Sequence, residues 1–318
     1  MKTVDLIVPC YNEGEMIDIF YDTTSAIVSE ISGYTFNFIF IDDGSRDDTL
    51  KKVKNLASKH SNVKYIAFSR NFGKEAGMYA GLKASTGDRV AVIDADLQHP
   101  PELIKDMLYA IDEEGYDSCS ARRVSREGEP KIRSAFSRLF YKLINKMSEV
   151  EIIDGAVDFR MMTRQMVDAI LDLPEVQRFS KGIFCWVGFN TKWIEFKNVE
   201  RVAGETSWSF WGLFRYAIDG ITAFTTFPLR IATIVGSVVS ASAFIYLIVE
   251  LIKTLVWGSA VGGYPSTIII LLFIGGIIIM SLGIIGEYLA RLYMETKNRP
   301  IFVFKDSNIE GLKNGRNK

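Results

Sequence analysis

The chain has 318 residues, 48% of them hydrophobic, which is enough for a catalytic domain with a sizeable core and a smaller second part. Its formal net charge of −1 excludes a global basic field, and with it nucleic acid as a partner. His60 and His99 are too few for a multi-histidine metal centre, and Cys10, Cys119 and Cys185 are spaced as reduced structural thiols of a cytosolic setting.

From the N-terminus, "MKTVDLIVPCYNE" has too short an apolar run for a signal peptide. Four short, β-rich apolar runs then recur: "VDLIVPC" (4–10), "FNFIFI" (36–41), "VKYIAFS" (63–69) and "RVAVI" (89–93). Amphipathic stretches at 14–31, 47–59, 74–85 and 101–113 separate them. Strand–helix alternation of this kind predicts βαβ units and a mainly parallel sheet, an α/β fold whose ligands bind beyond the carboxyl ends of the strands. Polar residues collect at those ends: Tyr11, Asn12 and Glu13, then Asp42 and Asp43, then Arg70 and Asn71, then Asp94 and Asp96. Neither GxGxxG after a strand nor GxxxxGK[ST] occurs, so no glycine-rich phosphate loop holds a nucleotide here.

Two of these strand ends carry most of the chemistry. In "IDDGSRDDT" (41–49), Gly44 bends the chain and Ser45 or Asp47 caps the next helix, while Asp42 and Asp43 at the mouth are free to accept hydrogen bonds from a base or sugar. In "VIDADLQHPPE" (92–102), strand alternation predicts Asp94 and Asp96 on one face, with Gln98 in step. Two like charges so placed call for a cation between them, and a hard divalent ion takes one or two carboxylates plus substrate phosphates. A solvated strand-end turn is the other reading of the same residues. Pro100 and Pro101 open the following helix, with Glu102 in its first turn.

Residues 120–146, "SARRVSREGEPKIRSAFSRLFYKLINK", combine Arg122, Arg123, Arg126, Lys131, Arg133 and Arg138 with an apolar stripe. Such a basic amphipathic helix is either a solvated face over a core or a membrane-surface element whose arginines grip phosphate. The aromatic-rich 207–230 reads as interfacial helices at headgroup depth. Residues 231–249 and 267–286 contain no charge and suit spanning helices. The linker 257–266 lacks Lys and Arg, whereas Arg230, Arg291, Lys297 and Arg299 flank the spans, which predicts both flanks in the cytoplasm. Gly236 with Ser240 and Ser237 with Ala241 allow close helix packing.

Taken together, "VPCYNE", "IDDGSRDDT", "RNFGKEAGMYAGL", "DADLQHPPE", "VDFRMM", "RFSKGIFCWVGF", "RVAGET" and "FPLR" resemble a family 2 (GT-A fold) glycosyltransferase of the polyprenyl-phosphate type. That group includes dolichol-phosphate mannose synthases and bactoprenol glucosyltransferases of the GtrB kind, and Glu287 with "NRPIFVF" resembles the bactoprenol branch. The resemblance implies a GT-A domain over 1–206, juxtamembrane helices over 207–228, two transmembrane helices over 229–290 and a cytoplasmic tail over 291–318. It implies that Pro9, Tyr11, Glu13, Asp43, Arg70, Lys74 and Asp94 serve the nucleotide-sugar. Asp94, Asp96 and Gln98 would hold Mg²⁺ or Mn²⁺. Arg122, Arg133 and Arg201 would bind the acceptor phosphate, and Asp158, with Asp96 and Arg160, would be catalytic.

The implied reaction moves a sugar, glucose from UDP-glucose on the bactoprenol likeness, to undecaprenyl phosphate with inversion. The implied setting is the bacterial cytoplasmic membrane, in contact with its lipid, as a homo-oligomer, a tetramer by resemblance. One departure stands out: Ser207 follows "GET", where relatives commonly carry Lys or Arg. Two rival classes fit less well. A processive polysaccharide synthase needs a channel and a QxxRW motif, and the spans lack the central ionisable residue of a transporter. A non-catalytic binding protein is the third rival, separated by a sugar-transfer assay.

Overall fold

The computed structural model describes residues 1–123, 145, 153, 155–173, 175–196, 225, 227–257 and 264–312. The first half alternates as the apolar runs predict: β1 (Lys2–Cys10), α1 (Ile17–Ser29), β2 (Tyr34–Asp42), α2 (Thr49–Lys59), β3 (Val63–Phe68), α3 (Lys74–Ala84), β4 (Arg89–Val92) and α4 (Leu103–Asp112). Then come β5 (Ser118–Arg123), β6 (Ala156–Thr163), α5 (Arg164–Leu171), α6 (Ser180–Trp186) and β7 (Thr191–Phe196). Two long helices, α7 (Phe227–Trp257) and α8 (Tyr264–Thr296), precede a last strand, β8 (Phe304–Ser307).

Eight described strands form one sheet in the order β7-β5-β6-β4-β1-β2-β3-β8. Its centre, β4-β1-β2-β3, is parallel, as the βαβ pattern requires. β6 and β8 join antiparallel on the two sides of that centre, so the sheet is mixed. Both faces are covered, which is why β1 and β2 read as near-continuous apolar runs rather than alternating ones. Leu6, Val8, Phe38, Phe40, Ala91 and Phe159 face α1, α2 and α4. Ile7, Ile39, Ile41, Val92 and Met162 face α3, α5 and α6. Asp5, fully buried in β1, is satisfied by the Asn37 side chain (2.8 Å) and the N–H groups of Thr86 (2.7 Å) and Gly87 (2.8 Å).

Within α7 and α8, Phe227–Tyr246 and Phe273–Thr296 are long and apolar enough to cross a membrane. They are not core helices: Ile234, Phe244, Phe273 and Ile279 point outward, exposed by more than half. Apolar surface of that extent marks a membrane-anchored protein. The Tyr288 hydroxyl donates to the Thr225 carbonyl (2.6 Å), tying α8 to the residues just before α7. After α8 the chain re-enters the globular part. Phe302 is fully buried, and β8 pairs with β3.

Candidate functional site

The loops after β1 and β2 are laced together by short side chains. Asn12 N–H donates to Ser45 Oγ (2.9 Å) and Arg46 N–H to Asn12 Oδ1 (2.9 Å). Glu13 N–H donates to Thr49 Oγ1 (2.9 Å) and Gly14 N–H to Asp47 Oδ2 (2.9 Å). Asp47, the capping candidate, also accepts the Thr49 N–H (3.1 Å) at the start of α2. Gly44 has φ +69°, and a Cβ there would lie 2.5 Å from the Arg70 carbonyl carbon, so only glycine brings these loops together.

That approach positions Asp43, whose Oδ1 accepts Phe72 N–H (2.6 Å) and Oδ2 accepts Gly73 N–H (2.9 Å). Burial pushes its pKa up to about 6, against the pull of those two N–H groups. Asp42 accepts Ser45 N–H through Oδ1 (3.2 Å), and its buried Oδ2 has no hydrogen-bond partner among the described residues. Tyr11 is exposed at this mouth, Glu13 is half-buried beside it, and Pro9 lies under Gly77 of α3. The Arg70 guanidinium stacks over the Phe72 ring at 3.9 Å.

The acidic centre is built differently from the strand-alternation expectation. The β4 ladder stops at Val92, and the chain leaves the sheet in a turn in which Leu97 takes φ +55°. Asp94 and Asp96 therefore do not share the face of a continued strand. Asp96 is buried, and its Oδ1 accepts the Gln98 N–H of its own turn (3.1 Å); Gln98 is half-buried. Asp94 instead meets the Lys74 ammonium, at 2.8 Å through Oδ1 and 2.9 Å through Oδ2.

Lys74 also pairs with Asp158 Oδ2 at 2.6 Å. β6 runs antiparallel to β4 with Arg160 opposite Val92, so the start of β6 lies beside the end of β4 and delivers Asp158 to Asp94. Burial opposes the charge on Lys74, but Asp158 and Asp94 override it and raise its pKa well above the ordinary lysine value. Burial likewise works against the Asp158 carboxylate, yet Lys74, then Lys181 and Arg160, hold it well below the usual range. His99 sits 3.8 Å from Asp94, against Phe159 and Phe196, and burial lowers its pKa.

Arg160 is 2% exposed, with its guanidinium over the Phe184 ring at 3.8 Å. Burial lowers its pKa to about 10, and its Nε has no hydrogen-bond partner among the described residues. Arg122 lies at the end of β5, 3.9 Å from Glu195 across the β5–β7 pair. Arg133, Arg201 and Ser207 lie outside the described residues, as do most of the basic helix and the interfacial segment.

The structure thus brings Lys74, Asp94 and Asp158 into contact, sets Asp96 and Gln98 in the adjoining turn, and gathers Pro9, Tyr11, Glu13, Asp43 and Arg70 on the neighbouring strand ends. Glu75, Ser180 and Lys181 join this group unannounced. "RFSKG" carries two of them, but in sequence Ser180 and Lys181 read as an ordinary helix start. Among the described residues no three His, Cys, Asp or Glu side chains are grouped as metal ligands. The carboxylates and amide of Asp94, Asp96 and Gln98 fit a hard divalent ion that takes part of its shell from phosphate oxygens. The site already collects a cation, the Lys74 ammonium, between Asp94 and Asp158.

The family described as Glycosyl transferase family 2 matches residues 5–171, and the GtrB C-terminal hairpin matches residues 227–292. The chain is 46% identical over 306 residues (96% of this chain, 92% of the other) to a Bacillus subtilis (strain 168) protein named as a glycosyltransferase, CsbB. It is 42% identical over 302 residues (95% and 98%) to the prophage bactoprenol glucosyl transferase homolog of Escherichia coli (strain K12). Among solved structures, glucosyl-3-phosphoglycerate synthase from Mycobacterium tuberculosis, crystallised with Mn²⁺, UDP-glucose and phosphoglyceric acid, is similar at 18% identity and a TM-score of 0.46, covering 70% of this chain and 78% of that one.

Proposed function

The chain belongs to glycosyl transferase family 2, and we propose that it transfers glucose from UDP-glucose to the phosphate of undecaprenyl phosphate, with inversion at the anomeric carbon. The Lys74–Asp94–Asp158 cluster, at the carboxyl ends of the central parallel strands in a chain that carries a GtrB hairpin at residues 227–292, carries this reading. The name of the E. coli relative supports the lipid acceptor and the glucosyl group. The bilayer is the bacterial cytoplasmic membrane, with both termini on the cytoplasmic side. Gly236 and Ser240 suit helix contacts in a homo-oligomer, a tetramer on the family likeness.

In this reaction an acceptor phosphate oxygen forms a bond to the anomeric carbon, and the bond from that carbon to the donor diphosphate breaks, its electron pair leaving with UDP. A phosphate monoester has a second pKa of about 6, so the acceptor is largely a dianion near neutral pH and needs no strong base. Asp158, whose carboxylate is held ionised, orients Lys74 and the sugar hydroxyls rather than taking a proton. Lys74 and Arg70 face the donor diphosphate, and Arg122 with Arg133 and Arg201 hold the lipid phosphate. Pro9, Tyr11, Glu13 and Asp43 line the nucleoside side. Asp94, Asp96 and Gln98 would hold Mg²⁺ or Mn²⁺, which when bound offsets the charge of the leaving diphosphate. Arg160 supplies fixed positive charge behind the reacting centre. Most of the acceleration then comes from positioning and electrostatics.

Two substitutions test the roles. Asp158→Asn should lower kcat by about 100-fold and by the same factor from pH 6 to 9, measured as radiolabelled sugar transfer. Recovery of the variant at high pH would restore a base role to Asp158. Asp96→Ala, or removal of divalent ions with a chelator, should abolish transfer; full activity in either case sinks the metal assignment. A panel of nucleotide-sugars offered with undecaprenyl phosphate checks the sugar and the base.

A further inference from the structure

Glu75 is a half-buried carboxylate that the reaction above does not use. It follows Lys74 in the first turn of α3, and its Oε2 accepts the Ser180 N–H (3.0 Å) and, at short range, the Ser180 hydroxyl. Ser180 is the first residue of α6, where no side chain of the preceding residue caps the helix. A carboxylate at that end meets both an unsatisfied N–H and the positive end of the helix dipole. Burial raises the Glu75 pKa to about 7 against these bonds, so it is held in place at a cost.

The same helix serves β6 twice. Lys181 contributes to the field that keeps Asp158 ionised, and Phe184 lies flat under the Arg160 guanidinium at 3.8 Å. The approach to α6 is fastened from the other direction by Glu295 in the last turn of α8. Its Oε1 accepts Val176 N–H (3.0 Å) and Gln177 N–H (3.2 Å), and its Oε2 also lies within reach of Val176 N–H (3.1 Å). Between the two attachments Arg178 lies over the Tyr79 ring of α3 at 4.7 Å and donates to the carbonyls of Ile170 (3.1 Å) and Leu173 (3.2 Å). One stretch, 176–186, is therefore tied to a membrane helix at its start and to the Lys74 helix at Ser180, and it presses on Asp158 and Arg160.

We propose that Glu75 and Glu295 are positioning residues that hold this one stretch from opposite ends, so that the seating of the membrane hairpin sets the geometry of the Asp158–Arg160 strand. The proposal rests on the reading of the site given above. A lipid phosphate arrives at a height fixed by the bilayer, and the donor must be presented at that height. A rigid strut from α8 to α6 to β6 does this with two carboxylates and no contact to either substrate.

The test uses the full chain in phospholipid nanodiscs with Glu75→Ala, Glu75→Gln, Glu295→Ala, Glu295→Gln and the double alanine variant. Amide hydrogen exchange without substrates comes first. Glu295→Ala should speed exchange not only at 176–177 but through 180–186, and Glu75→Ala should speed it at 176–177 as well as at 180. Changes confined to each carboxylate's own partners overturn the proposal.

Transfer kinetics come second. Each alanine variant should lower kcat about tenfold with KM for the nucleotide-sugar within about twofold. The glutamine variants, which keep an acceptor for the N–H groups, should regain most of that. The double variant should lose no more than about the larger single loss, because one element is released only once. Losses that multiply in the double variant, or a Glu295→Ala enzyme with unchanged kcat, also overturn the proposal. If Glu75→Ala does not fold, the glutamine and Glu295 variants carry the comparison. A wild-type enzyme that moves no sugar to undecaprenyl phosphate would refute the reaction while the exchange data still decide the strut.

Discussion

Asp43 spends both carboxylate oxygens on the backbone of the neighbouring loop, but burial outweighs those bonds and fixes the sign of its pH dependence. Its folded pKa of about 6 lies above the ordinary aspartate value of about 3.9, so ionising it costs stability as pH rises between those values. The ionised form accepts both N–H groups. Below pH 6 the protonated carboxyl turns one acceptor into a donor, and the Phe72–Gly73 turn at the start of α3 loosens. Affinity for the nucleotide-sugar, whose phosphates do not titrate near pH 6, should therefore fall about tenfold from pH 7 to pH 5, the scale of one lost hydrogen bond. Asp43→Asn should bind at the low-pH level throughout, and calorimetry from pH 5 to 8 checks both; a flat wild-type profile sinks the idea. Asp43 was legible in the sequence as a polar residue at a strand mouth, and so were Asp94 and Asp96. The Asp94–Lys74–Asp158 contact was not, because it depends on β6 pairing antiparallel with β4 from 64 residues further along the chain, a register that no local pattern encodes. Glu75 was invisible for a simpler reason: an acid in a helix's first turn looks like ordinary dipole compensation.

Helix α3 carries the site's cation on its first residue, so its height above the sheet matters. Gly81 sets that height. A Cβ there would fall 2.1 Å from Ile7 Cγ2 and 3.1 Å from Ile41 Cδ1, inside the core formed by β1, β2 and α3. Gly81→Val should cost about 1–3 kcal/mol through overpacking and lower the unfolding temperature by several degrees, with Gly81→Ala milder. Sugar transfer should fall further than stability alone explains, since α3 must lift and carry Lys74 with it. Thermal unfolding and kcat measured on the same preparation separate the two, and a Gly81→Val enzyme with wild-type kcat would refute the link. The first four strands were readable because each is buried on both faces, and α1, α2 and α4 because each has one apolar side; α3, buried at every position from Ala76 to Leu82, has no such side. The fourth run was readable only to Val92: beyond it the acidic turn breaks the alternation that the sequence suggested. β6, with Asp158 and Arg160 inside it, hides its strand character behind those charges.

At the scale of the molecule, the membrane hairpin is an insertion bracketed by the catalytic domain rather than an appendage after it. Residues 301–307, which read as part of a tail, complete the sheet. β8 places Ser307, Asp306 and Phe304 opposite Ile66, Ala67 and Phe68 of β3, and Ser69 N–H donates to the Val303 carbonyl (2.9 Å). Tyr65 N–H donates to Asn308 Oδ1 (2.7 Å), and Lys54 pairs with Asp306. Phe302, fully buried, stacks on Phe68 with ring centroids 5.0 Å apart and meets the edge of Tyr79 at 6.4 Å. Tyr79 is the ring under Arg178, so the returning chain also braces the stretch that leads to α6. Phe302→Ala should cost about 3–5 kcal/mol, the range for deleting a buried aromatic side chain. Deleting residues 300–318 leaves every site residue named above and both hairpin helices in place, yet it uncovers β3 as an open, apolar sheet edge. The deleted protein should therefore aggregate when extracted from the membrane and transfer no sugar. Size-exclusion profiles in detergent and the transfer assay read both outcomes. A monodisperse, active truncation would mean that the four-strand parallel centre suffices and that β8 contributes no more than local order.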